Sequence, residues 1–296
     1  MKFTNKYNLP KTVYDVLAAD GYKAGKDNYS ATSLLKSPRQ LQLYKRNFDK
    51  IEEDVSDRVW SLLGQAAHNV LEKHGDDTSL TEERLYVDIN GKVVSGQVDH
   101  YHSGVITDYK VTSVWTIMKQ TKIEDWTKQL NTYAYIFENN GYTVNRLQII
   151  AILRDWSETE KLRYSNYPES PIIVVPITVW SYKEQTKYIY TRVHLHTKAE
   201  SLEDNELPLC TPEDTWQSPT VYAVMKEGRK SAVKLFDSKE EAYTFILEGC
   251  PDNWKDGHSR DLYYVDVRKG TCRNCERYCP VAKFCNQWQE FKESIA

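Results

Sequence analysis

The 296-residue sequence predicts an α/β fold in which a central mixed sheet is flanked by helices. Three observations support this prediction. Strand-like runs separated by turn residues occupy positions 85–112 and predict an antiparallel meander. A helical pattern at 123–140 leads into an apolar run at 146–153, and this strand–helix–strand order favours a right-handed crossover with some parallel pairing. Four cysteines fall between positions 272 and 285 and predict a ligand-held segment near the C-terminal end.

Composition and charge restrict the classes of protein that fit this chain. Hydrophobic residues make up 40% and charged residues 27%, as in an ordinary soluble domain with a buried core. No run approaches the roughly eighteen apolar residues of a membrane helix, and no signal-peptide pattern opens the sequence, so we expect a cytoplasmic protein. The formal net charge of −3 does not by itself indicate nucleic-acid binding. Basic residues do concentrate at 36–50, where Arg39, Lys45 and Arg46 are candidates for phosphate contacts.

Two helices follow a lead-in segment at 1–28. A capping segment begins an amphipathic helix predicted at 29–44. The second helix is predicted at 54–74, where small residues such as Gly64 allow close packing against a sheet. This helix carries His68. A single helical histidine is usually structural, so its role depends on what the rest of the chain brings near it.

The segment 95–112 is the centre of the predicted sheet and has the pattern of a β-hairpin with a glycine-containing turn. Alternation along the second strand places Asp108 and Lys110 on one face and Tyr109 on the other, while Asp99 lies on the first strand. Two neighbouring carboxylates repel each other unless a cation lies between them, and Mg²⁺ or Mn²⁺ commonly fills that role. A lysine beside such a site can orient water or neutralise charge that develops on a phosphate.

Glu82 or Glu83, near the start of the meander, is a candidate for an additional acidic residue of the site, although a solvated loop acid is the more common case. The helix predicted at 123–140 carries Gln129 and Tyr133, which are four residues apart and share one face. The core is then completed by an apolar mid-sheet strand at 146–153, a strand at 172–180 and a helix at 181–199.

Residues 205–271 are expected to form a small α/β part. Its predicted elements are strands near 221–225, 232–236 and 262–267 and a helix near 239–248. Its lysines and arginines suit contacts with phosphate, and an inert brace fits the sequence equally well.

The cysteines are unevenly distributed, with none before Cys210. In a chain without secretion signals disulfides are not expected, so clustered thiols indicate a metal site. The cluster consists of Cys272, Cys275, Cys279 and Cys285. A zinc ion and a [4Fe–4S] cluster both accept four such ligands. We expect Cys250 to be a buried structural thiol.

The site motifs occur in one order along the chain: His68, Asp99, Asp108-Tyr109-Lys110, then Gln129 with Tyr133. This order resembles the motifs of the PD-(D/E)XK nucleases, in particular the RecB-like branch that includes exonuclease V and CRISPR-associated adaptation nucleases. The resemblance implies a restriction-endonuclease-like core over residues 29–204.

The resemblance also implies roles for these residues. The metal, Mg²⁺ or Mn²⁺, would be held by His68, Asp99, Asp108 and the Tyr109 carbonyl. The catalytic residues would be Asp99, Asp108, Lys110, Gln129 and Tyr133, of which the last two would position the scissile strand.

Members of this branch commonly carry a [4Fe–4S] cluster, and here it would tie the segment 272–296 onto the nuclease core. The implied ligands are Cys275, Cys279, Cys285 and either Cys210 or Cys272. The Leu-Pro-x-Cys-Thr-Pro context resembles phage-encoded members and favours Cys210. Zinc is the alternative metal. In many relatives a cysteine near the start of the core is also a ligand, but Ser37 stands in its place in this chain.

The function implied by the resemblance is that of a metal-dependent DNA nuclease. It would be an exonuclease on single strands or DNA ends, active in phage replication, recombination or host-DNA degradation. DNA is then the expected partner, together with replication or recombination proteins, and the sequence does not set the oligomeric state. The alternative is a non-catalytic DNA-binding or assembly module with the same fold. Such a module would be expected to lose the lysine or an aspartate of the site, whereas this chain keeps them.

Overall fold

The computed structural model describes residues 1–19, 25–74, 78–248 and 262–295. The chain divides into two compact units, Met1–Glu203 and Asp204–Ala296. No helix in the described part of the chain combines the length and the apolar surface needed to cross a membrane. The candidate carboxylate site belongs to the first unit, and the cysteines belong to the second.

The first unit is built from both strands and helices. Its strands are β1 (Lys2–Thr4), β2 (Tyr29–Ser30), β3 (Glu52–Asp54), β4 (Leu80–Thr81), β5 (Arg84–Ile89), β6 (Lys92–Gln97), β7 (His100–His102), β8 (Val105–Thr112), β9 (Arg146–Leu153) and β10 (Ile172–Ile177). Its helices are α1 (Lys11–Ala18), α2 (Ala31–Leu35), α3 (Pro38–Asn47), α4 (Val59–Leu71), α5 (Val114–Met118), α6 (Ile123–Asn139), α7 (Glu158–Arg163) and α8 (Tyr182–Glu200).

A five-stranded sheet with the order β10–β9–β8–β7–β4 forms the centre of this unit. β8 and β9 are parallel, while the other neighbours are antiparallel, so the prediction of a mixed sheet flanked by helices is confirmed. The chain passes from β8 to β9 through α5 and α6. In the parallel pair, Asp108 lies beside Ile149 and Lys110 lies beside Ala151.

Helix α6 packs against β8, β9 and β10. Alternate residues of β9, among them Leu147 and Ile149, are buried, as expected for a strand with one face against a helix. α6 contributes Leu130 and Phe137 to the same core cluster. Because α6 is buried along most of its length, the side chains that it presents to the strands are held in place.

A second sheet has the order β2–β6–β5 and contains the hairpin formed by β5 and β6. Asn90 and Gly91 both have positive φ, 52° and 79°, as the Asn-Gly turn signal predicts. Gly96 on β6 allows α6 to come close. A Cβ at this position would lie 2.9 Å from Cδ1 of Tyr133 and 3.0 Å from Cδ1 of Ile136. A larger residue would therefore displace Tyr133.

The prediction of one continuous first strand in the segment 95–112 was wrong. β6 ends at Gln97, β7 begins at His100, and the two strands belong to different sheets. The break has a packing reason, since Val98 is buried in the core cluster. It also has a polar reason, because the carboxylate of Asp99 accepts a hydrogen bond from the backbone N–H of Tyr109.

The helix predicted at 29–44 was also wrong in extent. α2 and α3 are separate, and the Ser37 hydroxyl caps α3 by accepting from the Gln40 N–H. Pro38 cannot continue a preceding helix, but it suits the first turn of a new one. Sequence reasoning missed β1 and α1 in the lead-in segment, where β1 pairs in parallel with β3.

The second unit contains a three-stranded antiparallel sheet with the order β12–β11–β13. Its elements are α9 (Pro212–Thr215), β11 (Val221–Lys226), β12 (Lys234–Phe236), α10 (Lys239–Glu248), β13 (Tyr263–Arg268), α11 (Arg273–Arg277) and α12 (Asn286–Ile295). Helix α10 packs against all three strands of this sheet. Cys250, predicted to be a structural thiol, lies outside the described residues.

Candidate metal centre and cysteine site

Strand β8 carries two candidate residues on one face. Asp108 is 2% exposed, and its Oδ2 lies 2.5 Å from Nζ of Lys110. β7 pairs with β8 only as far as Thr107. Beyond that point, side chains rather than strand β7 contact the backbone of Tyr109 along this edge.

Asp99 and His68 make those contacts. The Tyr109 N–H donates to Oδ2 of Asp99 at 2.6 Å, and the Tyr109 carbonyl oxygen lies 3.1 Å from Nε2 of His68. Nδ1 of His68 is 3.4 Å from Oδ1 of Asp99. Asp99 reaches this position from the bend between β6 and β7, and His68 reaches it because α4 packs against β8. The fold thus brings three of the four proposed ligand residues into contact, which are His68, Asp99 and Tyr109. Asp108 lies close enough to interact electrostatically with Asp99 and His68, but its carboxylate is not among the donor atoms that lie within 4.8 Å of one another.

The electrostatics of the site favour a bound cation. Burial, and then the neighbouring Asp108 carboxylate, raise the pKa of Asp99 to about 7. A hydrogen bond with Glu82 raises the pKa of His68, although burial opposes the rise. Burial lowers the pKa of Lys110, but the charges of Asp108 and Asp99 outweigh it and raise this pKa above its ordinary value. Lys110 is therefore an ammonium ion at neutral pH, and the paired carboxylates suit a hard divalent ion such as Mg²⁺ or Mn²⁺.

Helix α6 places two buried polar side chains beside Asp108. Nε2 of Gln129 lies 2.8 Å from the hydroxyl of Tyr133 and 3.5 Å from Oδ1 of Asp108. Burial and the Asp108 charge both raise the pKa of the Tyr133 hydroxyl, which therefore stays neutral. The two side chains are in position to orient Asp108. Their direct contact with a DNA strand, which the motif implied, stays a prediction.

Sequence reasoning named Glu82 and Glu83 together and favoured a solvated loop acid for both, whereas Glu82 lies at the site. Its Oε1 lies 3.5 Å from Nδ1 of His68, and with Asp99 it completes a group of donor atoms that all lie within 4.8 Å of one another. Neighbouring Glu83 is exposed, as expected for a loop acid. No motif in the sequence separates these two glutamates, because the difference arises from how the chain bends before β5.

Of the three basic residues proposed for phosphate contacts, Lys45 and Arg46 contact groups inside the first unit and Arg39 is buried. Arg39 is buried on α3. The guanidinium of Arg46 donates to the carbonyl of Leu202 at 2.6 Å, and Nζ of Lys45 lies 5.2 Å from the ring centre of Tyr29. These contacts favour structural roles for Arg39 and Arg46, and the DNA contacts of all three residues stay a prediction.

The five described cysteines come together in the second unit. Cys272 and Cys285 are buried, and the other three are partly buried. Burial raises the pKa of Cys275 to about 12, and the remaining thiols, which lie close enough to interact with it, add to this rise: Cys279, Cys272, Cys210 and Cys285. A metal that bound these thiols would displace their protons.

A pair of hydrogen bonds holds Cys210 beside the C-terminal cysteines. Its N–H donates to Oε1 of Gln287 at 2.8 Å, and Nε2 of Gln287 donates to the Cys210 carbonyl at 2.9 Å. Gln287 follows Cys285 by two positions. The structure thus places Cys210 with the cysteines of residues 272–285, and Cys272 lies in the same group, so both remain candidates for a fourth ligand.

Comparison with known proteins gives only weak likenesses. No protein-family model matches the chain, and no curated protein matches it. The crystal structure of SSO0001 overlays with a TM-score of 0.42 at 16% sequence identity, over 62% of this chain and 84% of that one. A phage related exonuclease from Haemophilus somnus 129PT overlays with a TM-score of 0.29 at 13% identity, over 65% of this chain and 77% of that one. Overlays with scores this low assign neither a family nor a function to the chain.

Proposed function

We propose that this protein is a nuclease of the RecB-like branch that uses Mg²⁺ or Mn²⁺ to hydrolyse phosphodiester bonds in DNA. The observation that carries the proposal is a set of contacts around Tyr109. His68 and Asp99 contact each other and the Tyr109 backbone, and Asp108 and Lys110 on either side of Tyr109 form an ion pair. His68 lies on a helix, Asp99 lies in a bend, and the other two lie on a strand. A scattered set of polar residues would not be expected to place a carboxylate on the N–H and an imidazole on the carbonyl of one residue, Tyr109.

The motifs imply that the divalent ion is held by four groups, which are His68, Asp99, Asp108 and the Tyr109 carbonyl. An ion held there supplies a Lewis acid that polarises water and the phosphate. Lys110 is an ammonium ion, so it acts as a hydrogen-bond donor that stabilises the negative charge developing on the phosphate. Asp108 fixes the position of that ammonium through their 2.5 Å contact, and Gln129 in turn orients Asp108.

Single-stranded DNA is the substrate that we propose, and two exposed tryptophans in the first unit support it. Trp60 is 56% exposed, and the guanidinium of Arg154 lies 4.3 Å from its ring centre. Trp115 is 60% exposed, with Nζ of Lys119 at 4.9 Å. The exposed surface of an aromatic ring can stack on a base, and a cation next to the ring can contact the adjacent phosphate.

Both tryptophans belong to elements near the C-terminal end of β8. Trp60 precedes His68 on α4 by eight residues, about 12 Å along the helix. The backbone N–H of Arg154 donates to the carbonyl of Thr112, and Thr112 follows Lys110 by two residues, about 7 Å along the strand. A strand stacked on these rings would have its phosphates within a few nucleotides of the metal centre.

We also propose a [4Fe–4S] cluster held by Cys275, Cys279, Cys285 and Cys210. Thiolates are the usual ligands of such clusters. Since all these cysteines lie in the second unit, the cluster would join segments of that unit.

Replacing the catalytic lysine tests the nuclease proposal. With Mn²⁺ and an end-labelled single-stranded oligonucleotide, Lys110→Ala should lower the cleavage rate by about 10²–10³-fold, because a charge-stabilising donor is lost. Lys183→Ala, which alters an exposed lysine on α8, is the matched control and should cleave like the wild type. EDTA should stop cleavage in all of them.

Equal cleavage by Lys110→Ala and Lys183→Ala would contradict the proposed mechanism. Binding without any cleavage by the wild type would support the alternative, a non-catalytic DNA-binding module. The cellular role that fits a nuclease of this kind is the processing of DNA ends in phage replication, recombination or host-DNA degradation, in the cytoplasm of the host.

A further inference from the structure

Three donor atoms meet on one side of His68. Nδ1 of this histidine faces Oε1 of Glu82 at 3.5 Å and Oδ1 of Asp99 at 3.4 Å. Among the described residues, this is the group of three potential ligands whose donor atoms all lie within 4.8 Å of one another. The other ring nitrogen, Nε2, faces the Tyr109 carbonyl. The preassembled donor set therefore includes Glu82, which none of the nuclease motifs contains.

The carboxylate of Glu82 is held in place by a glutamine. Nε2 of Gln97 donates both to Oε2 of Glu82 at 2.9 Å and to the Glu82 carbonyl at 3.1 Å. Oε1 of Gln97 accepts from the guanidinium of Arg84 at 2.5 Å, and this guanidinium also donates to the hydroxyl of Ser95. Oε2 of Glu82 is thus occupied, while Oε1 is the oxygen that faces His68.

The hairpin explains why these residues meet. Arg84 and Gln97 are directly opposite each other where β5 begins and β6 ends. The chain enters β5 through Glu82, whose φ of +51° is unusual for a residue with a side chain. The Glu82 N–H donates to the carbonyl of Asp99 at 3.3 Å. Such a backbone conformation persists where the surroundings impose it, often at functional sites.

We propose that the divalent ion binds Nδ1 of His68 together with Asp99 and Glu82, so that the Tyr109 carbonyl stays the partner of Nε2 rather than a ligand. Gln97 and Arg84 are then positioning residues for Glu82. This inference rests on the proposed function. Two carboxylates and one imidazole form a mixed oxygen and nitrogen donor set that suits Mn²⁺. Glu82 also gives the site a carboxylate from outside β8 and the bend, so the ion would connect the hairpin of β5 and β6 to the helix α4.

The test is Mn²⁺ binding to the full-length chain by isothermal titration calorimetry, with Glu82→Gln and Glu83→Gln as a matched pair. Glu82→Gln keeps the size of the side chain but removes its charge, so the dissociation constant should rise at least about tenfold. Glu83→Gln alters the exposed neighbour and should bind like the wild type. Glu82→Asp should bind more tightly than Glu82→Gln, which a purely structural role for the side chain would not produce.

The positioning role is tested by Gln97→Leu, which should weaken Mn²⁺ binding by about 10–100-fold, the usual effect of losing a partner that orients a ligand. The far-ultraviolet circular dichroism of each variant in EDTA shows whether it is folded. Equal Mn²⁺ affinity of Glu82→Gln and Glu83→Gln would overturn the inference and leave the nuclease proposal standing. Weakened binding by Glu82→Gln in a protein that cleaves no DNA would support the Glu82 ligand and overturn the nuclease proposal.

Discussion

The carboxylate site of the first unit and the cysteine site of the second are built by different means. His68, Asp99 and Asp108 come from a long helix, a bend and a long strand, and hydrogen bonds to the Tyr109 peptide hold two of them. Among the described cysteines, Cys275 lies on α11, a helix of five residues, and the other four lie outside helices.

The two sites also differ in the source of the free energy that stabilises each arrangement. The carboxylate site is formed by packing of the surrounding core, so it should persist without its ion. Short helices are marginal on their own, and a metal that binds the folded form contributes its binding free energy to folding. The cysteine site should therefore depend on its metal for order, while the carboxylate site should depend on its metal for chemistry alone.

The largest expected effect comes from removing one ligand at each site. Cys285→Ser should lose most of about four irons per chain and should open the segment Asp204–Ala296 to limited proteolysis. Asp99→Asn should abolish Mn²⁺-dependent cleavage while Met1–Glu203 stays resistant to the protease. Iron analysis and mass spectrometry of the fragments measure both. A Cys285→Ser protein that resists the protease like the wild type would contradict the inference that the cysteine site depends on its metal for order.

Within the cysteine site, Cys210→Ser and Cys272→Ser form a matched pair for the choice of fourth ligand. Because Gln287 holds the Cys210 backbone near Cys285, Cys210→Ser should lose iron, and Cys272→Ser should keep it. The reverse result would identify Cys272 as the ligand. Stoichiometric zinc without iron in the wild type would replace the cluster proposal altogether.

A smaller effect is expected for Trp60, one of the two exposed tryptophans of the first unit that are proposed to stack on DNA bases. Trp60→Ala should weaken binding of a single-stranded oligonucleotide by about tenfold, since stacking of one base on an aromatic ring contributes about 1–3 kcal/mol. Tyr264→Ala changes an exposed aromatic residue of the second unit and should have little effect. Fluorescence anisotropy with Ca²⁺ in place of Mn²⁺ measures affinity without cleavage. Equal losses of affinity in the two variants would show that the bases do not stack preferentially on the first unit.

The sequence predicted the parts of the carboxylate site that depend on local pattern. Alternation along a strand placed Asp108 and Lys110 on one face, and helical spacing paired Gln129 with Tyr133. These relations need only the geometry of one element. The mixed sheet was predicted in the same way, from a strand, a helix and a second strand in succession.

The sequence could not predict what depends on contacts between distant segments. The break at Val98 and Asp99 arises because one residue is buried while the next binds a peptide on another strand. Glu82 gains its position from Gln97, fifteen residues away. The Gly96 contact with Tyr133 likewise needs a packed helix that no local signal locates. In each case the partner was present in the sequence, but the pairing was set by the fold.

The two sites should also differ in how pH affects the metal-free protein. The pKa of Asp99 is about 7 in the folded chain and about 3.9 in an unfolded one. Between these values the folded state binds more protons than the unfolded state, so the stability that Asp99 contributes is fully present below about pH 4 and is lost as pH rises through about 7. His68 acts in the same direction, because its pKa is also raised.

In EDTA, the midpoint of thermal unfolding of the first unit should therefore fall by about 5 °C between pH 5 and pH 8, relative to Asp99→Asn, which has no charge to develop at this position. Mn²⁺ should cancel most of the fall, because the ion stabilises the ionised carboxylate. Cys275 of the cysteine site should contribute nothing over this range, since its raised pKa of about 12 keeps the thiol protonated. An identical pH dependence in the wild type and Asp99→Asn would show that ionising Asp99 beside Asp108 costs the folded chain no stability. The electrostatic argument for a cation between these carboxylates would then be wrong.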